Sequence, residues 1–333
     1  MNICILGAGG WGTALAILLN NKKHRVTLWE YDKEYAHTLS EFRENFYFLP
    51  KVKIHSSIKI TNNIDSAVGD CDLIVIATPT QFIRNVIEKI YDISFTNRII
   101  LSVSKGIENE SLMTVTHIFQ DVFKKIRKKN IAVLSGPSHA EEVAKKVPTA
   151  VVAAAYDSKA AGTIQHLFSN KYFRVYSSKD VLGVELGGAL KNVIAIAAGI
   201  TDSAGFGDNT KAAIMTRGIR EITRLGVYLG ALESTFMGLS GIGDLIVTCM
   251  SKHSRNRFVG EEVGKGKKLK EVLSNMKMVA EGVATSKSMH QLAKNEDIEL
   301  PIIEQVYKVL FLGKDPHEAT EKLMTRVLKE EHR

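Results

Sequence analysis

The sequence predicts an α/β protein in two parts, a doubly wound sheet over residues 1–182 followed by an all-helical part over 183–333. Three observations carry this expectation. Short runs of β-formers alternate with helix-patterned segments as far as about residue 180, the pattern that builds a sheet with helices on both faces. The first strand and helix are joined by a glycine-rich turn at the very start of the chain. Beyond Asp180 the strand signals stop and helical ones continue. A length of 333 residues suits two domains, and 45% hydrophobic against 24% charged residues is an ordinary globular balance.

Ile3-Cys4-Ile5-Leu6 is a short apolar strand, Gly7-Ala8-Gly9-Gly10-Trp11-Gly12 a turn, and Thr13–Leu19 the apolar start of a helix. Gly7, Gly9 and Gly12 have the G-x-G-x-x-G spacing. The first allows the tight turn, the second lets a pyrophosphate approach the backbone, and the third lets the helix pack on the strand. The helix start then faces phosphate with its N–H groups. This makes the sheet Rossmann-like and predicts a dinucleotide site. A second strand, Arg25–Trp29, ends in Glu30-Tyr31-Asp32. An acid here hydrogen-bonds the adenosine ribose and repels a 2′-phosphate, favouring NAD over NADP. Asp32 also reads as the cap of a helix starting near Lys33, so Glu30 and Asp32 could divide the two roles.

Residues 45–65 read as irregular. Asp72–Ala77 and Arg98–Val103 are continuous apolar runs, as in strands buried on both faces. They end in Thr78-Pro79-Thr80 and Ser104-Lys105-Gly106-Ile107. Helices follow to about Ile90 and over Ser111–Lys125. Ile131–Leu134 leads into the loop Ser135-Gly136-Pro137-Ser138-His139. Two further strands, Ala150–Ala155 and Phe173–Tyr176, flank a helix over 158–169. Ligands bind at the carboxyl ends of such strands, where Thr78-Pro79, Lys105-Gly106 and Gly136-Pro137-Ser138 lie.

The charge is +8 and the pI about 9.2. The basic clusters Lys124–Lys129 and Lys265–Lys270 read as solvated faces without interleaved aromatics, which argues against nucleic acid; a basic surface can also steer a phosphorylated substrate. Cys4, Cys71 and Cys249 are far apart, so neither a disulfide framework nor zinc is expected and a reducing, cytoplasmic setting is. The first strand leaves no room for a signal peptide. Leu186–Ile200 is too short, and too polar at its middle, for a membrane span. His139 and His290 lack partners at metal-ligand spacing, so no metal site is expected.

The second part carries the chemistry. In Leu186-Gly187-Gly188-Ala189-Leu190-Lys191-Asn192 and on to Gly199, small residues surround one lysine. Gly187, Gly188, Lys191, Ala195 and Ala198 share a helix face, which suits close approach to another surface such as a cofactor. Lys191 reads either as a lysine snorkelling to the core's edge or as a base whose pKa falls through burial and a second cation. Gly205–Asn209 is a turn and helix start. Leu239-Ser240-Gly241-Ile242-Gly243-Asp244-Leu245 is a glycine turn presenting one carboxylate, Asp244, functional or merely a cap. Ser254 opens a helix with Arg255-Asn256-Arg257, an ordinary N-cap or a phosphate site made of helix start and arginine fork. Val279-Ala280-Glu281-Gly282 begins another helix.

Together, and in this order, these motifs resemble the NAD(P)-dependent sn-glycerol-3-phosphate dehydrogenase family, bacterial type, over essentially the whole chain. The resemblance implies that Lys191 is the proton acceptor. It implies substrate contacts from Lys105, Gly136, Ser138, Lys191, Asp244, Ser254, Arg255 and Asn256. It implies cofactor contacts from Gly10, Trp11, Tyr31, Lys105, Ala140, Arg255, Val279 and Glu281, beside the glycines Gly7, Gly9 and Gly12. It also implies a homodimer and a role in phospholipid synthesis. The chain departs from many relatives at Glu30, where glycine is common, and at Tyr31, where a basic or imidazole side chain is; the NADP preference of those relatives therefore does not carry over, and the cofactor expected is NAD or NADP, with Glu30 leaning toward NAD. Ser138 stands where threonine is frequent and keeps the hydroxyl.

The expected reaction is hydride exchange between nicotinamide C4 and C2 of glycerol 3-phosphate or dihydroxyacetone phosphate. Lys191 moves the proton, Lys105 supplies positive charge beside it, and Asp244 orients the lysine or the substrate hydroxyl. Other readings are a hydroxyacid or ketopantoate-type dehydrogenase, which needs a carboxylate site instead, and a non-catalytic dinucleotide sensor.

Overall fold

The structure is a computed structural model and describes residues 1–328, Glu330 and Glu331. The strands are β1 (Asn2–Leu6), β2 (Arg25–Trp29), β3 (Glu44–Asn45), β4 (Leu49–Lys53), β5 (Lys59–Thr61), β6 (Leu73–Ile76), β7 (Ile99–Ser102), β8 (Ile131–Ser135), β9 (Thr149–Ala155) and β10 (Phe173–Ser178). Between them run helices α1 (Gly10–Asn21), α2 (Lys33–Phe42), α3 (Ile64–Val68), α4 (Thr80–Ile87), α5 (Val115–Val122), α6 (Ala140–Ala144) and α7 (Ser158–Phe168). Eight strands form one sheet in the order β10-β9-β8-β7-β6-β1-β2-β5. The chain leaves β1 in one direction for β2 and β5, then crosses to β6 on the other side, so the switch point lies between β1 and β6. A crevice opens there at the carboxyl ends of the strands.

Side chains alternate across this sheet with the period of two that a strand imposes. Ile3 and Ile5 of β1, with Leu73 and Val75 of β6, face Leu15, Leu19 and Phe168 of α1 and α7. Cys4, Leu6, Ile74 and Ile76 face Ile83, Ile87 and Phe119 of α4 and α5. Both faces are therefore covered, and the strand runs are apolar throughout.

Two expectations are corrected. Residues 45–65 are not irregular: β3 and β4 form a small antiparallel hairpin, β5 extends the main sheet beside β2, and Asn63 caps α3 through a 2.8 Å bond from the Ser66 N–H. These segments escape a periodicity reading because they are two to five residues long and expose Pro50, Lys51 and Lys59. The helix expected over Ser111–Lys125 is only α5, with 111–114 forming a turn that bridges Ile107 to Thr114. The sheet is parallel except at one pair, where β9 runs antiparallel to β8; the connection between them holds the five-residue α6.

The rest is helical: α8 (Val181–Ser203), α9 (Asp208–Tyr228), α10 (Glu233–Phe236), α11 (Asp244–Met250), α12 (Arg255–Gly264), α13 (Leu269–Ser274), α14 (Glu281–Asn295), α15 (Pro301–Leu312) and α16 (Pro316–Met324). Asp180 caps α8, accepting from the Gly183 N–H at 2.9 Å. α8 is 23 residues long, longer than its apolar run suggests, and passes by length and composition for a membrane span; 94% of its most apolar window is buried inside the protein. It is the axis of the helical part. Its first turns rest on the sheet through Val181 and Val184 against Val133 and Ala154.

The small residues of α8 serve this packing rather than a cofactor. A Cβ on Gly187 would stand 2.5 Å from the Ser240 carbonyl oxygen, and one on Gly188 would stand 2.5 Å from Ser135 Oγ. Gly260 of α12 answers in kind, with a Cβ position 2.1 Å from the Ile196 carbonyl oxygen. The backbones of α8 and α12 thus approach too closely for any side chain between them.

Candidate active site

The crevice at the switch point opens into a cleft of about 810 Å³ between the sheet and the helical part. One end is made of backbone. Gly7 has φ +118°, and a Cβ there would stand 2.9 Å from the Ala77 backbone. A Cβ on Gly12 would strike the Gly7 carbonyl oxygen, while Gly9 faces open space. This is the division of labour that the spacing predicts: turn, approach, packing. α1 begins at Gly10 and aims its N-terminus into the cleft, where it favours an anion. Glu30 lines the cleft, and Asp32 does not. Asp32 caps α2, accepting from the Tyr35 N–H at 2.6 Å. Of the two roles left open for this pair, the cap falls to Asp32. Tyr31 is 70% exposed on the rim, with the Lys89 ammonium 5.5 Å from its ring centroid.

The other end is made of buried side chains. Lys191 of α8 and Asp244, the first residue of α11, are 6% and 1% exposed. A π-helical turn over Leu239–Gly243 leads into α11 and delivers the carboxylate. Asp244 is neither the cap nor an idle turn residue, because it bridges two lysines. Its Oδ1 accepts from Lys191 Nζ at 2.8 Å and its Oδ2 from Lys105 Nζ at 2.7 Å. Thr248, one helical turn on, accepts from Lys191 Nζ at 2.6 Å and donates to the Asp244 carbonyl at 2.6 Å. Its place four residues after Asp244 is a signal that the sequence held and the reading missed.

An ammonium has three donors. Lys191 spends two, on Asp244 and Thr248, and keeps one for a ligand in the cleft. Lys105 spends its donors on Asp244, on the Gly136 carbonyl at 2.8 Å and, weakly, on Ser138 Oγ at 3.4 Å. Gly136 lies behind the cleft wall and acts through that carbonyl. Its φ of +141° and a would-be Cβ 3.0 Å from Val151 Cα leave room for glycine alone.

Burial pushes the Lys191 ammonium down to about 8, Lys105 adds to the push, and Asp244 opposes it. A lysine so lowered is neutral at neutral pH far more often than an ordinary one. Asp244 stays ionised, since the two ammoniums outweigh its burial and hold its carboxyl below the usual range.

Ser254 caps α12 and accepts from the Arg257 N–H at 3.2 Å. Arg257 is engaged by Asp202 and Glu261, both at 2.7 Å, whereas Arg255 lines the cleft beside Ser254 and Asn256. Ala140, Val279 and Glu281 also line it. Glu281 Oε1 accepts from the Thr80 N–H at 2.7 Å, and burial raises its carboxyl to about 7. His139, Phe48 and Lys277 line the cleft as well, beyond the site residues expected from the sequence; Phe48 comes from the segment that reads as irregular.

These walls fit a dinucleotide. Trp11 Nε1, His139 Nε2 and Glu281 Oε2 are buried polar atoms without a partner among the described residues, all in residues that line the cleft, and unmet groups of this kind call for a ligand. A Cβ on Gly10 would stand 2.5 Å from the Phe48 carbonyl oxygen, so backbone alone fits at the phosphate end.

Comparison with known proteins agrees with this geometry. The family model described as "NAD-dependent glycerol-3-phosphate dehydrogenase N-terminus" matches residues 2–161, and its C-terminal counterpart matches residues 180–321. The chain is 49% identical to glycerol-3-phosphate dehydrogenase [NAD(P)+] of Geobacter sp. strain M21, over 99% of this chain and 98% of the relative. It is 48% identical to the enzyme of the same name from Bacillus subtilis, over 97% and 94%. The crystal structure of glycerol-3-phosphate dehydrogenase from Coxiella burnetii superposes with a TM-score of 0.93 at 34% identity, covering 98% of this chain and 99% of that one. A glycine turn that fits a dinucleotide, a lysine–aspartate–lysine bridge facing it, and full-length relatives at this identity lead to one conclusion: the chain belongs to the NAD-dependent glycerol-3-phosphate dehydrogenase family.

Proposed function

We propose that the protein interconverts sn-glycerol 3-phosphate and dihydroxyacetone phosphate, using Lys191 as the proton-transfer group. The observation that carries this is the Asp244 carboxylate bridging Lys191 and Lys105 at the end of a dinucleotide cleft. When bound, the nicotinamide supplies or accepts the hydride at its C4. The chain's own residues do the rest. In reduction Lys191 gives its free proton to the alkoxide forming at C2; in oxidation neutral Lys191 removes the hydroxyl proton. Asp244 and Thr248 fix Nζ so that the remaining N–H points to the substrate. The Lys105 charge stabilises the developing oxyanion. Arg255 and the start of α12, with Ser254 and Asn256, hold the phosphate and so place C2.

Gly7, Gly9, Gly10, Trp11 and Ala140 hold the pyrophosphate end, and Tyr31, Val279 and Glu281 hold the flanks. Glu30 reads the ribose and disfavours a 2′-phosphate, which makes NAD the preferred cofactor. A 2′-phosphate beside the Glu30 carboxylate would bring two like charges together, which is costly. We extend the reading to a homodimer in a reducing cytoplasm, feeding phospholipid synthesis. The three cysteines are free and buried, and Met237, Ile246 and Met250 stand exposed on the helical part.

The test is dihydroxyacetone phosphate reduction followed at the nicotinamide absorbance, with NADH and NADPH in parallel. Turnover with NADH, and a larger kcat/KM for NADH that reverses toward NADPH in Glu30→Gly, is the expected result. Turnover of a 2-keto acid but not of the phosphorylated ketone would replace the phosphate reading with a carboxylate one. Cofactor binding without turnover of either would leave a sensor.

A further inference from the structure

Four segments that carry proposed functional side chains are joined by one line of hydrogen bonds. Asn192 Nδ2 donates to the Lys105 carbonyl at 3.0 Å. Asn256 Nδ2 donates to Asn192 Oδ1 at 2.9 Å. The Gly282 N–H donates to Asn256 Oδ1 at 2.8 Å. Asn192 and Asn256 are 4% and 8% exposed, so neither amide exchanges these bonds for water without cost. The direction of the line is fixed from both ends. A backbone carbonyl only accepts and a backbone N–H only donates, so each side-chain amide has a single orientation that satisfies it. The close approach at Gly282 is part of the device: a Cβ there would stand 2.6 Å from the Asn192 carbonyl oxygen and 2.9 Å from Asn256 Oδ1.

Every link is at, or next in sequence to, a side chain of the site. The carbonyl is that of Lys105 itself, Asn192 follows Lys191, Asn256 follows Arg255, and Gly282 follows Glu281. Glu281 then returns to the sheet through the Thr80 N–H. We infer that Asn192 is a positioning residue: it holds Lys105 and the Arg255–Asn256 segment in register with Lys191, without touching the reacting atoms. Its action through Lys105 should appear in kcat and its action through Asn256 in KM. The inference rests on the dehydrogenase reading given above.

The experiment is a double-mutant cycle on the full-length protein, read by single-turnover and steady-state reduction of dihydroxyacetone phosphate. In an otherwise wild-type chain, Asn192→Ala is expected to lower kcat about 30-fold and to raise KM for the substrate, with cofactor KM changed less than about threefold. In a Lys105→Ala background the same substitution should cost less than about threefold in kcat, while the KM rise persists. Asn192→Asp keeps the volume and the acceptor but cannot donate to the Lys105 carbonyl. It carries the test if the alanine variant does not fold, and it is expected to lose kcat similarly. An equal kcat loss in both backgrounds, or an Asn192→Asp enzyme with wild-type kcat, overturns the inference. No turnover by the wild type would instead overturn the underlying reading.

Discussion

The two ends of the cleft recognise their ligands by different means. The sheet end uses backbone from one contiguous stretch, Gly7 to Gly12, where fitness is a matter of missing Cβ atoms. The helical end uses buried side chains from α8, α11 and α12, brought together with Lys105 across more than a hundred residues of sequence. Shape set by glycine degrades gradually under substitution elsewhere. A buried charge cluster does not, because removing one member leaves another unpaired. The same contrast governs how the two parts are joined. α4 and α5 in the sheet part lack side-chain caps of their own. They are capped instead by buried carboxylates from the helical part, Glu281 on the Thr80 N–H and Glu185 on the Thr116 N–H at 2.8 Å.

Lys191 is where the two ends of the cleft should separate most clearly. Lys191→Ala is expected to lower kcat for dihydroxyacetone phosphate by about 10²–10⁴-fold while cofactor affinity stays within about threefold; a parallel loss of cofactor binding, read by fluorescence titration, would mean the two ends are not separable. A smaller effect is expected from Arg255→Ala, which should raise substrate KM about 10²-fold, with a much smaller change for the cofactor. An unchanged substrate KM would remove the phosphate assignment.

Away from the cleft, a buried carboxylate should affect stability and leave activity alone. Glu221 of α9 is buried and caps α15, accepting from the Ile302 N–H at 2.8 Å, and burial raises its carboxyl to about 7. Its folded pKa is above its unfolded one. Its contribution to stability is therefore complete below about 4.5 and is lost as pH rises through about 7. Glu221→Gln keeps the acceptor without the ionisation. It should match wild type near pH 5 and melt higher at pH 8, by a margin on the order of 2 kcal/mol, with kcat unaltered. A lower melting point at pH 8 would show that the ionised cap is itself stabilising.

What could be read from the sequence follows the same divide. The glycine turn was legible because its parts are adjacent and each glycine has a local steric task. Lys191 was legible as an anomaly, a lysine among small apolar residues, and so was Asp244 on its glycine turn. Their meeting was not, since 53 residues separate them and no local pattern encodes a contact between α8 and α11. Asn192 stood in a noticed motif, but its partners belong to a loop and to α12. Phe48 was hidden in a hairpin too short and too polar for strand periodicity. The small residues of α8 were rightly seen as a close-approach surface and wrongly matched to a cofactor; α12 and the π-helical turn fill that face.

In the proposed reaction Lys191, held by Asp244 and pushed down to about 8 by burial, moves the proton. The most direct measurement is the pH dependence of kcat in both directions between about pH 6 and 10. Oxidation of glycerol 3-phosphate needs the neutral amine, so its rate should rise through about 8. Reduction of dihydroxyacetone phosphate needs the ammonium, so its rate should fall through the same value. Two profiles that rise together, or that are flat across this range, would show that Lys191 is not the proton-transfer group.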